Sequence, residues 1–365
     1  MNATKAGVDH QFHLDGGRLS EGRRSFVGER EQISNNGYRR HAWSRRRFLR
    51  TMAAAGGAFA ISPSLAARVR DLEKPIRLGF ISDLHQDVMH DGLARLQAFV
   101  GEMQSEQPDA IVQLGDFAYP NEKNRLVTEA FHGAHPQSLH VLGNHDIDDG
   151  HTFDEVAERW KMPGRYYTRM IEGLQLIVLD GNEMPPNHRG GYPAHIGPQQ
   201  LAWLKSTLAK LAGPAIVLSH QPLAGPSCID NAEEVQAVLN GAADKILLTM
   251  NGHTHIDHVV RTGDIISLHI NSASYFWVGA NSRHVSYPQQ IHRQYADIEY
   301  TCPYEKPLFT TLVIDPESGR LHLKGRQTQW VGESPAEVGK NSPGLTDGEE
   351  IVPQIRERHL LRAPV

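Results

Sequence analysis

The chain is poor in cysteine, because its 365 residues include only Cys228 and Cys302. Two cysteines are too few for a disulfide framework or a thiolate zinc site, and neither has the spacing of a metal ligand. In an oxidising compartment they could form one disulfide, and two buried thiols fit the sequence equally well. Cysteine chemistry therefore does not organise this protein.

Long apolar runs are also missing. Beyond the first 66 residues, no stretch of about 18 or more apolar residues occurs, so the sequence predicts no transmembrane helix in the mature protein. The chain shows no internal repeats. A length of 365 residues with 39% apolar residues is enough to bury a large core, which indicates one large domain with a tail.

The first 66 residues resemble a twin-arginine export signal. Residues 1–43 are polar and are followed by the basic motif Ser44-Arg45-Arg46-Arg47-Phe48-Leu49-Arg50. A mildly apolar stretch then runs from Ala53 to Ala60, and the small residues of a cleavage site follow as Ser64-Leu65-Ala66. The alternative is a basic surface helix, but Gly56 and Gly57 would weaken its interior. The signal predicts export of the folded precursor by the twin-arginine machinery to the periplasm or the exterior. The long polar start also fits a translation start further downstream.

Excess positive charge is absent from the rest of the chain. The leader contains 11 Lys+Arg and 5 Asp+Glu, which leaves 26 basic and 37 acidic residues and a net charge of −11 for residues 67–365. So acidic a body is a poor non-specific binder of nucleic acid. We expect no stable nucleic-acid partner.

Metal-ligand residue types recur at the ends of five predicted strands. The blocks are Asp83-Leu84-His85, Gly115-Asp116, Gly143-Asn144-His145-Asp146, Ser219-His220 and Gly252-His253-Thr254-His255. Residues two apart on a strand share a face and can bind one ion, and an asparagine oxygen suits a harder metal held among carboxylates and imidazoles. Because ligands bind at the carboxyl ends of strands in open α/β sheets, the five blocks predict one metal site.

Strand and helix patterns alternate along the chain. The sequence predicts strands at 75–81, 110–114, 139–142, 215–218 and 245–250, helices at about 93–103, 122–131, 198–211 and 231–240, and hairpins about Gly173, Gly263 and Gly319. Asn231 and Glu234 are expected to form a capping box. The alternation predicts a mixed pair of sheets covered by helices. The Gly-, Pro- and Ser-rich tail, residues 331–365, is expected to have little order.

The five blocks, in this order, resemble the calcineurin-like metallophosphoesterase superfamily over about Pro75 to Trp330. The resemblance implies an α/β fold, an αββα sandwich of two mixed sheets, in a domain of residues 67–330. It also implies two divalent or trivalent metal ions, for which the mixed oxygen and nitrogen ligands suit Mn, Fe, Zn or Co. Metal one would be bound by Asp83, His85, Asp116 and His255, and metal two by Asp116, Asn144, His220 and His253.

The same resemblance implies a reaction, the hydrolysis of phosphate esters. A hydroxide that bridges the metals would attack phosphorus, while His145 would stabilise the phosphoryl group or protonate the leaving group. Small phosphodiesters or cyclic nucleotides are the predicted substrates, and a phosphomonoesterase or nucleotide pyrophosphatase on the same site is the alternative. A non-catalytic metal-binding interaction protein is the alternative from another class, and the full ligand set together with His145 argues against it.

One departure from the superfamily narrows the function. Its protein Ser/Thr phosphatases continue the Gly-Asp block as G-D-x-V-D-R-G, whereas this chain continues Gly115-Asp116 with Phe117-Ala118-Tyr119-Pro120. The acidic partner and the arginine of that pattern are missing. The sequence therefore predicts that the protein does not hydrolyse phosphoproteins.

Two stretches could line the substrate site. Residues 180–192 are glycine-rich and include His188 and Arg189, our candidate substrate-binding residues, because arginine is well suited to phosphate. Residues 275–304 form an irregular insert rich in aromatic residues, one of which could stack on a base. A packed surface loop is the alternative for both stretches.

Overall fold

Two mixed sheets form the framework of the protein, for which a computed structural model describes residues 63–186, 188–340 and 350–359. The longer strands are β1 (Ile76–Ile81), β2 (Ala110–Gln113), β3 (Ser138–His140), β4 (Tyr167–Ile171), β5 (Leu174–Val178), β6 (Ala215–Leu218), β7 (Ile246–Asn251), β8 (His258–Thr262) and β9 (Ile265–His269). They are followed by β10 (Tyr275–Trp277), β11 (Thr301–Pro303), β12 (Thr310–Asp315), β13 (Arg320–Leu323), β14 (Arg326–Gln327), β15 (Gln354–Ile355) and β16 (Arg358–His359).

Helices connect most of the early strands. They are α1 (Pro63–Arg70), α2 (Gly92–Glu106), α3 (Arg125–Ala134), α4 (Phe153–Trp160), α5 (Pro198–Lys210), α6 (Ala232–Asn240) and α7 (Gln289–Gln294). Each of α2, α3, α5 and α6 precedes a strand, as the predicted alternation requires. Among the described residues, no helix is long and apolar enough to cross a membrane.

The strand order explains why the predicted ligands meet. The first sheet has the order β16-β13-β12-β1-β2-β3 and the second the order β4-β5-β6-β7-β9-β8. Strands β1, β2 and β3 are parallel, and so are β5, β6, β7 and β9. Parallel neighbours end at the same edge of a sheet, so the loops that follow β1, β2, β3, β6 and β7 can build one site.

Alternating side chains of β5 pack on the two faces of the second sheet. Leu176 and Val178 belong to the largest apolar core, which they share with residues of the first sheet such as Leu78. Ile177 packs instead in a second core with residues of α5 and α6. On the first sheet, a Cβ on Gly79 would lie 2.1 Å from Met103 Sδ, so glycine allows α2 to pack closely. The sheets are thus layered between helices, and the predicted αββα sandwich is confirmed.

The C-terminal segment differs from the predicted poorly ordered tail of residues 331–365. Strand β15 pairs with β14, and β16 adds to the edge of the first sheet beside β13. The side chains of Arg356 and Arg358 bind the buried carboxylate of Asp257. The Gly-, Pro- and Ser-rich composition suggested little order, but residues 350–359 are held by backbone pairing and by ion pairs, which composition does not reveal. Residues 341–349 and 360–365 lie outside the described residues.

Helix α1 crosses the predicted cleavage site after Ala66. Leu65 and Val69 are buried in the largest core, and the Arg68 guanidinium donates to the carbonyl of Ala212 at 2.6 Å. Residues 63–66 therefore pack against the domain that the sequence analysis begins at residue 67. The twin-arginine motif and the rest of the leader, residues 1–62, lie outside the described residues.

Two local features complete the comparison with the sequence. The predicted capping box of α6 is wrong, because the Asn231 amide binds the backbone N–H and carbonyl of Ile196 and makes no cap hydrogen bond. The amide oxygen and nitrogen of Asn231 are both engaged with this distant loop, so they do not cap the helix.

The sequence left open whether Cys228 and Cys302 form a disulfide. In the structure both are free thiols.

Candidate metal centre

The seven predicted metal ligands follow five parallel strands. Asp83 and His85 follow β1, Asp116 follows β2, Asn144 follows β3, His220 follows β6, and His253 and His255 follow β7. All seven side chains are largely withdrawn from solvent, since six are buried and His253 is half-buried. Buried carboxylates and imidazoles at converging strand ends are the arrangement that a metal site requires.

Five of these ligands have a left-handed backbone. The φ angles are 51° for Asp83, 48° for His85, 50° for Asp116, 68° for His253 and 50° for His255. This region is uncommon for residues other than glycine and costs of order 1–3 kcal/mol per residue. Such strain in five residues of one site indicates that the fold holds these side chains in place at the expense of stability.

Neighbouring glycines allow the strand ends to approach each other. A Cβ on Gly143 would lie 2.1 Å from the backbone nitrogen of Asp116, and one on Gly252 would lie 2.5 Å from Asp83 Oδ2. Any side chain at either position would therefore push a ligand loop away. The glycines of the sequence blocks are explained by this close packing.

The first cluster consists of Asp83, His85 and His255. The Nε2 atoms of the two imidazoles are 3.1 Å apart, and His255 Nε2 lies 3.2 Å from Asp83 Oδ1. His255 Nδ1 lies 2.8 Å from the carbonyl of Tyr275, which fixes the orientation of the ring so that Nε2 faces the cluster. These three side chains can hold one metal ion.

The second cluster consists of Asp116, His220 and His253. His220 Nε2 lies 3.1 Å from Asp116 Oδ2 and 3.3 Å from His253 Nδ1, and His220 Nδ1 is bound at 2.8 Å to the Leu114 carbonyl. Asp116 Oδ2 is also 3.7 Å from His85 Nε2 of the first cluster. The Asp116 carboxylate therefore lies between the two clusters, where a shared ligand belongs.

The charge states of the buried groups favour cation binding. Burial lowers the pKa of His85 well below its usual value and that of His253 to about 3. Burial also opposes charge on His220, but the Asp116 carboxylate outweighs it and raises the His220 pKa to about 9. Burial would raise the pKa of Asp116, but His220 and its neighbours hold it well below the usual range. An ionised Asp116 beside neutral His85 and His253 is the form that binds a cation, and His220 would release its proton when a metal binds.

Asn144 supplies a further indication of a cation. Its Oδ1 is buried and has no hydrogen-bond partner among the described residues. A buried amide oxygen without a partner costs about 1–3 kcal/mol, and coordination of a hard cation would remove that cost. Together with the two clusters, Asn144 fits a dinuclear metal centre.

Asp146 holds two of the ligand loops together. Its carboxylate accepts hydrogen bonds from the backbone N–H groups of Asp116, Phe117, Ala118 and Gly143, at 3.0, 2.7, 3.2 and 2.7 Å. Burial, and then the nearby Asp116, raise its pKa to about 8. Because its two oxygens accept hydrogen bonds from four backbone donors, Asp146 holds the two loops together, and its oxygens are occupied by these bonds rather than by a metal ion.

His145 is held by two residues that the sequence analysis did not single out. His145 Nδ1 lies 2.6 Å from Asp148 Oδ2 and 3.1 Å from the Tyr192 hydroxyl, which also donates to Asp148. The backbone N–H of His145 donates to Asp116 Oδ1 at 2.8 Å. Asp148 could have been found from its position three residues after His145, but nothing in the sequence indicates that Tyr192 reaches this ring.

The two stretches predicted to line the substrate site, residues 180–192 and 275–304, differ in how they contact the metal centre. His188 Nε2 lies 3.0 Å from the Gly191 carbonyl and Arg189 is exposed, so their role as substrate-binding residues stays a prediction. From the aromatic insert, the ring of Tyr275 packs on the ligand rings His85 and His255, with centroids 4.9 and 5.0 Å apart. This insert therefore walls the first cluster.

Residues 76–257 match the family described as calcineurin-like phosphoesterase. The chain contains a calcineurin-like phosphoesterase domain. It is 24% identical over 229 residues to sphingomyelin phosphodiesterase B of Dictyostelium discoideum, a match that covers 56% of this chain and 33% of that protein. The chain thus spans about a third of the length of this curated relative.

Solved structures agree with the fold of a calcineurin-like phosphoesterase. A dimetal phosphatase from Danio rerio superposes with a TM-score of 0.51 at 16% identity, covering 71% of this chain and 99% of that chain. The family and fold predicted from the sequence are confirmed, and the two clusters are two candidate metal sites consistent with a dinuclear centre. The assignment of individual residues as ligands stays a prediction.

Proposed function

We propose that this calcineurin-like phosphoesterase uses two metal ions to hydrolyse phosphodiesters, either small diesters or cyclic nucleotides. One observation carries the proposal: the Asp116 carboxylate lies between two ligand clusters and also accepts the backbone N–H of His145 at 2.8 Å. A centre for two cations with an imidazole beside it is suited to a phosphate ester. A substrate bound there would meet both positive charge and a proton donor.

The residues have separate roles in this reaction. Asp83, His85 and His255 would hold one metal, Asn144, His220 and His253 the other, and Asp116 both. When bound, the two cations supply positive charge for the phosphoryl oxygens and lower the pKa of water.

His145 has the role of proton donor in the proposal. Its Nδ1 lies 2.6 Å from Asp148 Oδ2, so a proton given to the substrate would come from Nε2. The Asp148 carboxylate stabilises the protonated ring, and Tyr192 holds both groups in place. His145 can therefore donate a proton from Nε2 to the leaving oxygen.

The charge of the site favours a diester over a monoester. A diester has one negative charge and a poor alkoxide leaving group, so it gains most from a proton donor and needs no arginine clamp. The one arginine that the sequence analysis proposed for phosphate binding, Arg189, is exposed. The name of the curated relative, a phosphodiesterase, supports the same choice.

A substrate panel on the manganese-loaded protein tests the proposal. We expect kcat/KM for bis-p-nitrophenyl phosphate or a 2′,3′-cyclic nucleotide to be at least equal to that for p-nitrophenyl phosphate, and a chelator to abolish both. Turnover of monoesters or nucleotide pyrophosphates alone would reverse the choice of substrate. Bound metal without turnover of any ester would instead favour a non-catalytic metal-binding protein.

We also propose that the precursor is exported in the folded state, by the twin-arginine machinery, to the periplasm or the exterior. The support is the Arg45-Arg46 motif with its apolar stretch, which lies outside the described residues. Export of folded protein suits an enzyme that acquires its metals before it crosses the membrane. Mn, Fe, Zn and Co remain the metals that this ligand set would accept.

A further inference from the structure

A second group of potential metal ligands lies at the edge of the first sheet, on strands β13 and β16 and in the residues just before β16. His322 on β13 is paired directly with His359 on β16, the edge strand of the sheet. Side chains of directly paired residues lie on the same face with Cβ atoms about 4.5–5.5 Å apart. The two imidazoles are accordingly stacked, with ring centroids 4.6 Å apart and an angle of 12° between the planes.

Glu357 completes the group. It precedes His359 by two residues, and residues two apart in an extended chain point to the same face. Its Oε1 lies 2.7 Å from His322 Nε2. One ligand atom from each of the three side chains lies within 4.8 Å of the others. Two imidazole nitrogens and one carboxylate oxygen are the ligands of a borderline cation such as Zn²⁺.

The part of this face that holds the group is partly exposed, although α2 covers the same face at Gly79. His322 is paired with Val313, and Val313 with Arg77 of β1, and none of these three residues is buried. Arg77 lies four residues before Ile81, about 13 Å along β1 at 3.3 Å per residue, whereas the catalytic ligands follow the far end of that strand. The group is therefore separate from the dinuclear centre.

We propose that His322, Glu357 and His359 form a third metal site, which takes Zn²⁺ with water in its remaining position. The contact of 2.7 Å between His322 Nε2 and Glu357 Oε1 shows that the two ligand atoms already face each other. Bond lengths of about 2.0–2.2 Å in a tetrahedral site put such atoms about 3.3 Å apart. For this pair the adjustment is about half an ångström, and the nitrogen of His359, which lies within 4.8 Å of the other two ligand atoms, would approach by rotation of its exposed side chain.

The alternative is that His322 and Glu357 form only an ion pair, with the imidazole of His359 stacked on that of His322. An exposed pair of this kind contributes little to stability. Zinc would act differently, because it would join the two-residue strand β16 to β13. The same strand carries Arg358, which binds the buried Asp257. The site would thus fasten the C-terminal segment to the sheet.

Zinc stoichiometry in the full-length protein tests the proposal. The protein would be dialysed against buffered free zinc, and bound zinc per chain measured by elemental analysis. Glu357→Gln keeps an acceptor for His322 but removes the charged ligand. Glu317→Gln, an exposed carboxylate in the turn between β12 and β13, is the matched control. We expect Glu357→Gln to bind one zinc fewer per chain than the wild-type protein and the control.

Thermal unfolding gives a second measurement. Saturating zinc should raise the Tm of the wild-type protein and the control more than that of Glu357→Gln or of a second variant, His359→Gln. Equal zinc stoichiometry in all four proteins would overturn the proposal, whatever the activity of the dinuclear centre. Because the comparison is a difference of one ion between variants, it does not depend on how many ions the catalytic site holds.

Discussion

Asp257→Asn tests how far the C-terminal segment supports the metal centre. Asp257 follows the predicted ligand His255 by two residues, and its carboxylate is buried. It accepts hydrogen bonds from Arg356 Nη1 at 3.0 Å and from Arg358 Nη1 and Nη2 at 2.6 and 2.8 Å. Asparagine keeps the size of the side chain but removes its charge and one acceptor oxygen. The bidentate pair with Arg358 is then lost.

The structure sets the magnitude of this change. Removal of one partner of a buried ion pair costs about 3–5 kcal/mol. The Arg356 and Arg358 side chains are 35% and 14% exposed, so in the variant water can solvate part of the charge that Asp257 no longer pairs. Asparagine also keeps one acceptor, and we expect a loss of about 2–3 kcal/mol. At about 2 °C per kcal/mol for a domain of this size, Tm should fall by about 4–6 °C.

Scanning calorimetry of the metal-loaded protein measures this loss. Asp264→Asn is the matched control, because its carboxylate is 79% exposed and is paired with Arg261 at the surface. We expect no measurable change for the control, since exposed pairs contribute little. Metal titration should also show weaker binding to the cluster of His255 in Asp257→Asn. Equal Tm values for the two variants would refute the argument that the buried ion pair holds this segment.

The remaining predictions concern the site and export. Asp116→Asn should remove nearly all activity and lower bound metal, because one carboxylate serves both clusters; two bound metals with retained activity would contradict this. His145→Ala should lower kcat by about 10²–10⁴-fold with bound metal unchanged, and loss of metal would mean that it is a ligand. Tyr192→Phe should lower kcat much less than His145→Ala, because Asp148 still holds the ring; an equal loss would give Tyr192 a direct role. Replacing Arg45 and Arg46 by lysine keeps the charge and should retain the folded protein in the cytoplasm, as fractionation would show; unchanged export would favour the basic-helix alternative.

The sequence was most informative where local pattern and tertiary structure agree. The strands that precede Asp83, Asp116 and His220 are short, mainly apolar runs, and a polar block follows each of them. The alternation of strands and helices predicted a mixed pair of sheets covered by helices, since parallel neighbours need a crossover. The αββα architecture was implied by the family resemblance, and the order of the strands was not predicted.

Contacts between distant segments could not be predicted in this way. The C-terminal residues Arg356 and Arg358 read as polar tail, but their partner Asp257 lies about a hundred positions earlier in the chain. The Asn231 amide likewise binds the backbone of Ile196 and does not cap the backbone of its own helix. In both places, a polar side chain has several possible partners of similar energy, and the fold selects one of them.

Asp148 replaces a group that the sequence comparison counted as missing. The block after Asp116 lacks the acidic residue of the protein phosphatases, but the carboxylate of Asp148 lies 2.6 Å from His145 Nδ1. An acidic partner for this histidine is therefore present, and the argument against phosphoprotein hydrolysis now rests on the missing arginine alone. Arginine would clamp a phosphate dianion, whereas Tyr192 offers only a neutral hydroxyl beside His145. An orienting carboxylate supports proton donation by His145 to a leaving group, and a diester, with its poor alkoxide leaving group, gains more from such a donor than a monoester does.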